Sequence, residues 1–115
     1  MSEVLILIPA EQAAALPHID GGVLVPFTST LDVVVSLKAS PLPAVLCTDT
    51  IPAEESDAVV TALRERTAPC IEVRLSPWDG ESHSPISAVC RGVISGFGPN
   101  AVARAAEFLS SEARS

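Results

Sequence analysis

"AVLCTDTIPAEESDAVVTALRERTAPCIEVRL", residues 44–75, holds two short apolar runs on either side of one helical pattern. "AVLC" (44–47) and "CIEVRL" (70–75) have the length and turn-residue borders of buried strands. Between them, Pro52 suits a first helical turn. Glu54 and Glu55 lie near the helix's positive end, with Arg64 and Arg66 near its negative end. A strand, a helix and a strand in this order imply a right-handed crossover and parallel pairing.

The same alternation extends in both directions. "EVLILI" (3–8), "GVLVPF" (22–27) and "AVCRGVIS" (88–95) are further strands. "GPNAVARAAEFLSSEA" (98–113) is a second helix, starting with Pro after Gly and carrying Val102, Ala105, Ala106 and Leu109 on one face. In "STLDVVVSLKAS" (29–40), Val33 to Val35 favour a strand, while Ser29 or Thr30 could cap a helix over Leu31 to Ala39. Its position between two strands decides for helix. "PAEQAAALPHIDGG" (9–22) has room for a short helical turn at most before Pro17. The expected fold class is α/β, a flavodoxin-like three-layer sandwich of about five parallel strands with helices on both faces.

Ligands of such sheets bind outside the carboxyl ends of the strands, near the switch in strand order. Chemistry is therefore sought at Thr28 and Ser29, Cys47 to Asp49, Arg74 to Ser76, and Ser95 to Gly98. Alternation puts Glu72, Arg74 and Ser76 on one face of the fourth strand, opposite Ile71, Val73 and Leu75. They form either an ion pair at a sheet end or water-facing edge, or an anion site in which Glu72 steadies the Arg74 fork. "CTDT" (47–50) is a usable site, and equally a turn in which Asp49 or Thr50 caps the following helix. "GFGPN" (96–100) could offer helix-start amides to a phosphate, or simply make a tight turn. "SPWDGESHS" (76–84) is a lid or an ordinary exposed turn.

Composition bounds the partners. The 115 residues are 48% hydrophobic and carry a formal net charge of −7 from one Lys, six Arg and 14 acids. That suits one globular domain over residues 1–115 and, with no basic run, argues against nucleic acid. No apolar run has the ~20 residues needed to cross a bilayer. "MSEV" carries an acid where a signal peptide carries lysine, so the expected location is cytoplasmic, with no membrane partner. Cys47, Cys70 and Cys90 form no CxxC and lie in apolar stretches, which predicts reduced core thiols. His18 and His83 have no metal-ligand spacing, and nucleotide and serine-hydrolase motifs are absent, so no cofactor or metal is expected.

Residues 68–109 resemble the type II dehydroquinases, the 3-dehydroquinate dehydratases of the shikimate pathway. Pro69, Ile71, Glu72, Val73, Leu75 and Ser76 match that family's P-x-I-E-V-H-[IL]-S strand. His83 and Ser84 match its His-Ser, and Gly92, Ile94, Gly96, Phe97 and Gly98 its G-x-I-x-G-[FL]-G. In the first half only the layout is similar: Ser56 falls at the serine of N-x-G-x-[YF]-T-H-x-S, and Cys47 or Thr48 at its asparagine. The resemblance implies a homo-oligomer, trimer or dodecamer, and a pocket for a small carboxylate or other anion built from Glu72, Arg74, Leu75, Ser76, Cys47 and Thr48.

The departures fall on the chemistry. The family's N-G-P-N-L-N and its loop with catalytic Arg and Tyr are replaced by "PAEQAAALPHIDGG", and the chain has no tyrosine. Arg74 stands where the family has its catalytic histidine, and Glu81 lies near its substrate-binding arginine. An arginine stays protonated and cannot act as a general acid. The expectation is a catalytically divergent or inactive homologue. The alternatives are an active carbon–oxygen lyase using His83, Asp49, Cys47 or Glu81, and a flavodoxin-like module holding phosphate at Gly96 to Asn100.

Overall fold

The computed structural model describes residues 3–16, 18–74, 86, 89–95 and 100–113. Five parallel strands form one sheet: β1 (Val4–Pro9), β2 (Gly22–Phe27), β3 (Ala44–Cys47), β4 (Cys70–Arg74) and β5 (Gly92–Ser95), in the order β2-β1-β3-β4-β5. This is the flavodoxin-like order, with its switch point between β1 and β3. Pro26 sits in β2, an edge strand, where its missing N–H costs no ladder bond. β2 is entered through Gly21, whose φ of 75° is left-handed. A Cβ on Gly22 would come within 2.8 Å of Ile6 Cδ1 and 3.1 Å of the Ile19 carbonyl.

Both faces of the sheet are covered, which is why the strands read as unbroken apolar runs. Val4, Ile6 and Ile8 alternate onto one face with Val45, Cys47, Ile71 and Val73, under Ala101, Val102, Ala105 and Leu109 of α3 (Asn100–Ala113). Leu5 and Leu7 point the other way, with Ala44, Leu46 and Cys70. They pack against Val33 and Leu37 of α1 (Thr30–Ala39) and Val59, Ala62 and Leu63 of α2 (Ser56–Arg64).

The ambiguous valine run is helical, and its amino end shows why. Ser29 Oγ accepts from the Asp32 N–H at 3.3 Å, while Asp32 Oδ2 accepts from the Thr28 N–H at 3.1 Å and the Thr28 hydroxyl at 3.2 Å. This reciprocal cap outweighs the strand preference of Val33 to Val35. Ser29→Ala is expected to lower stability by about 1 kcal/mol in urea denaturation. The Thr28 backbone N–H, with the Thr28 hydroxyl, holds the Asp32 carboxyl below its usual range. Stability from a depressed carboxyl is present above its unfolded pKa and lost as pH falls through the folded one. The stability deficit of Asp32→Asn should therefore be visible at neutral pH and disappear in acid.

Several boundaries differ from expectation. β5 begins at Gly92 rather than residue 88, because Cys90 and Arg91 form a bend that brings the chain alongside β4. The segment after β1 is a 3-10 helix over Ala10–Ala15. Another 3-10 turn, Ala53–Glu55, precedes α2, whose N-cap is Glu55, so neither Asp49 nor Thr50 stands at the N-cap of that helix. Arg66 does not stay at the end of its own helix. Its guanidinium reaches back to the Leu37 carbonyl at 3.0 Å, the Ser40 carbonyl at 2.9 Å and the Leu42 carbonyl, tying the exit of α1 to the exit of α2.

Candidate functional site at the carboxyl edge of the sheet

β4 lies between β3 and β5, so the water-facing edge reading of Glu72 and Arg74 does not hold. Glu72 pairs in register with Leu46 of β3 and Val93 of β5 and is 0% exposed. Taking a carboxylate so far out of water costs several kcal/mol unless donors replace the water. Two donors converge on one oxygen. Glu72 Oε2 accepts from the Thr48 hydroxyl at 2.7 Å and from Arg74 Nε at 3.1 Å. The Thr48 N–H also donates to the Val73 carbonyl at 3.2 Å. The carboxylate thus links the ends of two neighbouring strands through charge-assisted bonds. The Arg74 side chain is 21% exposed, so this end of the pair reaches the surface.

Of the sequence-derived site residues, Thr48, Glu72 and Arg74 are brought together. Cys47 is adjacent in the chain but on the opposite face, packed against α3. Burial, with the nearby Asp49 charge, pushes its thiol up to about 12, which removes it as a nucleophile or proton donor near neutrality. Iodoacetamide at neutral pH should leave Cys47 unmodified in the folded protein and label it after unfolding, as read by peptide mass mapping. Ser56, at the family's serine position, is buried at the first residue of α2. Leu75, Ser76, Glu81, His83, Ser84 and Gly96 to Gly98 lie outside the described residues. Their placement in a pocket remains an expectation from sequence.

A cleft of about 560 Å³ opens at the same edge of the sheet, over the ends of β1 and β2. Thr28, Ser29, Thr30 and Thr50 line it together with Glu11 and Glu55. Thr28 and Ser29 were legible as strand-end residues. Thr50 was legible in the strand-end stretch "CTDT"; Glu11 and Glu55 were not, because their convergence depends on how three strand ends lie side by side. This wall is acidic and hydroxyl-rich, with no Lys or Arg among its lining residues, so it suits a neutral hydroxylated group better than an anion. Among the described residues no group of three His, Cys, Asp or Glu could hold a metal ion. No described helix is long and apolar enough to cross a membrane.

The parallel order and the buried glutamate at the β4 terminus can be set beside solved structures. The chain has the fold of a type II dehydroquinase. The crystal structure of the Propionibacterium acnes type II dehydroquinase superposes with a TM-score of 0.76, covering 96% of this chain and 98% of that one at 19% sequence identity. At that identity the match establishes the dehydroquinase fold and leaves chemistry to the residues present. No protein-family model matches the chain, and no curated protein matches it in sequence. Within the dehydroquinase fold, the strand-end positions that carry Glu72 and Arg74 are among those from which an α/β sheet of this order builds its ligand site.

Proposed function

We propose that this is a catalytically divergent type II dehydroquinase-like protein that binds a small carboxylate, or another anion, without carrying out the dehydratase reaction. One observation supports this reading above the rest. Arg74, at the position where the sequence resemblance puts the catalytic histidine, is paired to a fully buried Glu72 at the end of β4. A guanidinium there can hold an anion but cannot supply the proton for departing water. The chain also contains no tyrosine, the residue that the resemblance assigns to enolate formation. The Glu72 charge offsets part of Arg74's, so the reading assigns further donors to the backbone of Leu75 and Ser76, and the flank of the site to Thr48; Cys47, on the other face of the sheet, drops out of it.

The alternative, an active carbon–oxygen lyase, draws its support from the fold shared with a dehydroquinase. An ultraviolet assay for dehydroshikimate formation from 3-dehydroquinate separates the two. The divergent reading expects no turnover at high protein concentration. Turnover that is lost in His83→Ala would replace it with the lyase. A phosphate-binding module using Gly96 to Asn100 predicts instead that flavin or nucleotide raises the melting temperature.

Self-assembly is part of the same reading. Leu31 and Val35, one turn apart on α1, are 69% and 56% exposed, as apolar groups are when a further surface covers them. Light scattering is expected to give a homo-oligomer, a trimer or a multiple of it; a monomer at high concentration would contradict this.

A further inference from the structure

The end of the sheet opposite the candidate site carries two thiols that the proposed function does not use. Cys70, the first residue of β4, is 3% exposed and belongs to the core under α1 and α2. Cys90, in the bend before β5, is half-buried and packs against that same core. The Arg91 N–H donates to the Cys70 carbonyl at 2.6 Å, and Ile71 pairs with Gly92, so the backbones at the two cysteines are locked side by side. In a regular ladder a strand spacing of about 4.8 Å and a rise of about 3.3 Å put Cα atoms one register step apart at about 6 Å, and the Arg91–Cys70 bond carries the ladder up to the residue next to Cys90. Disulfides span Cα separations of about 4.4–6.8 Å. Both are free thiols, and the two side chains pack into the same core under α1 and α2.

We propose that Cys70 and Cys90 are a disulfide-forming pair, a site of reversible oxidation by hydroperoxides that clips the start of β4 to the chain entering β5. Cys90 is the more accessible sulfur and is attacked first. Its thiol displaces one oxygen of the peroxide, giving a Cys90 sulfenic acid and releasing an alcohol, or water when the oxidant is hydrogen peroxide. The Cys70 sulfur then attacks the Cys90 sulfur. The S–S bond forms, the S–O bond breaks, and the departing hydroxide takes the Cys70 proton and leaves as water. Two thiols are thereby oxidised by two electrons and one peroxide O–O bond is reduced. The neighbouring Cys90 thiol, together with burial, pushes the Cys70 thiol up, while the nearby Arg66 guanidinium acts in the opposite direction. Cys70 therefore keeps its proton until the sulfenic acid forms beside it. Cys47, on the other face of the sheet, takes no part. The ring closed by the bond runs through residues 71–89 and so contains Glu72 and Arg74, but the pairing is independent of the proposed ligand.

The test is mild hydrogen peroxide treatment of the folded chain, followed by thiol titration in denaturant and non-reducing peptide mapping. The expected result is a fall from three titratable thiols to one, a Cys70–Cys90 linked peptide, a higher melting temperature, and recovery of all three thiols with dithiothreitol. Cys47→Ala should still form the link, and Cys90→Ser should not. Retention of three thiols would overturn the proposal. So would a Cys90 that proceeds to sulfinic acid beside an intact Cys70 thiol, or a link involving Cys47. The peptide map of the unmutated chain decides these outcomes even if a cysteine variant fails to fold.

Discussion

Replacing Arg74 by Ala should lower the free energy of unfolding by about 3 kcal/mol, the lower end of the roughly 3–5 kcal/mol that follows when one partner of a buried ion pair is removed. Glu72 is fully buried and would lose the guanidinium 3.1 Å away, keeping the Thr48 hydroxyl at 2.7 Å. A neutral hydroxyl does not replace a cation for a carboxylate held away from water. The lower end applies because Arg74 is partly exposed, and water can enter as its side chain leaves. Replacing both charges, as in Glu72→Leu with Arg74→Leu, should recover much of the loss, since an apolar pair carries no desolvation cost. Urea denaturation of the two single variants and the double variant measures the coupling directly. A loss below about 0.5 kcal/mol for Arg74→Ala would mean the pair behaves as an exposed surface bridge.

Arg66→Ala should cost a comparable roughly 3 kcal/mol. Hydrogen bonds from a charged donor contribute about 1.5–3 kcal/mol each, and those sharing one side chain are not additive. Three carbonyls, of Leu37, Ser40 and Leu42, lose their donor together, and two of them terminate or follow α1. Arg66→Lys keeps the charge but not the planar fork, so it should restore only part of the loss. Full recovery with lysine in the same denaturation experiment would show that charge, and not the geometry of the fork, holds the two helix exits together.

Local patterns carried much of the fold. The bounds of β2 and β3 follow directly from apolar runs closed by Gly, Pro and Thr. The parallel arrangement follows from the helix between β3 and β4, and the match to a dehydroquinase fold agrees with the reading of the last three elements. What the sequence hides is non-local. Arg66 spends its donors on carbonyls 24 to 29 residues earlier, and no pattern in residues 51–66 signals that. The start of β5 is set by a bend at Cys90 and Arg91, where apolar character continues without strand geometry.

The site was legible to a similar depth. Alternation placed Glu72 and Arg74 on one face, but it could not tell an edge strand from an interior one, and that distinction decides whether the pair is screened or buried. Thr48 lies 24 residues from Glu72, and only the β3–β4 register brings its hydroxyl to the carboxylate. That Glu11 and Glu55 join Thr28, Ser29 and Thr50 in one cleft depends on three strand ends at once and has no linear signature.

We propose Arg74 as an anion anchor at the position where the sequence resemblance puts a proton donor. Isothermal titration of 3-dehydroquinate and simple cyclic carboxylates into the wild type and Arg74→Lys, both verified as folded, tests it most directly. Saturable binding to the wild type is expected, with at least about tenfold weaker binding, roughly 1.4 kcal/mol, once the fork is lost. No binding to the wild type, or equal affinity in a folded Arg74→Lys or Arg74→Ala variant, would contradict it.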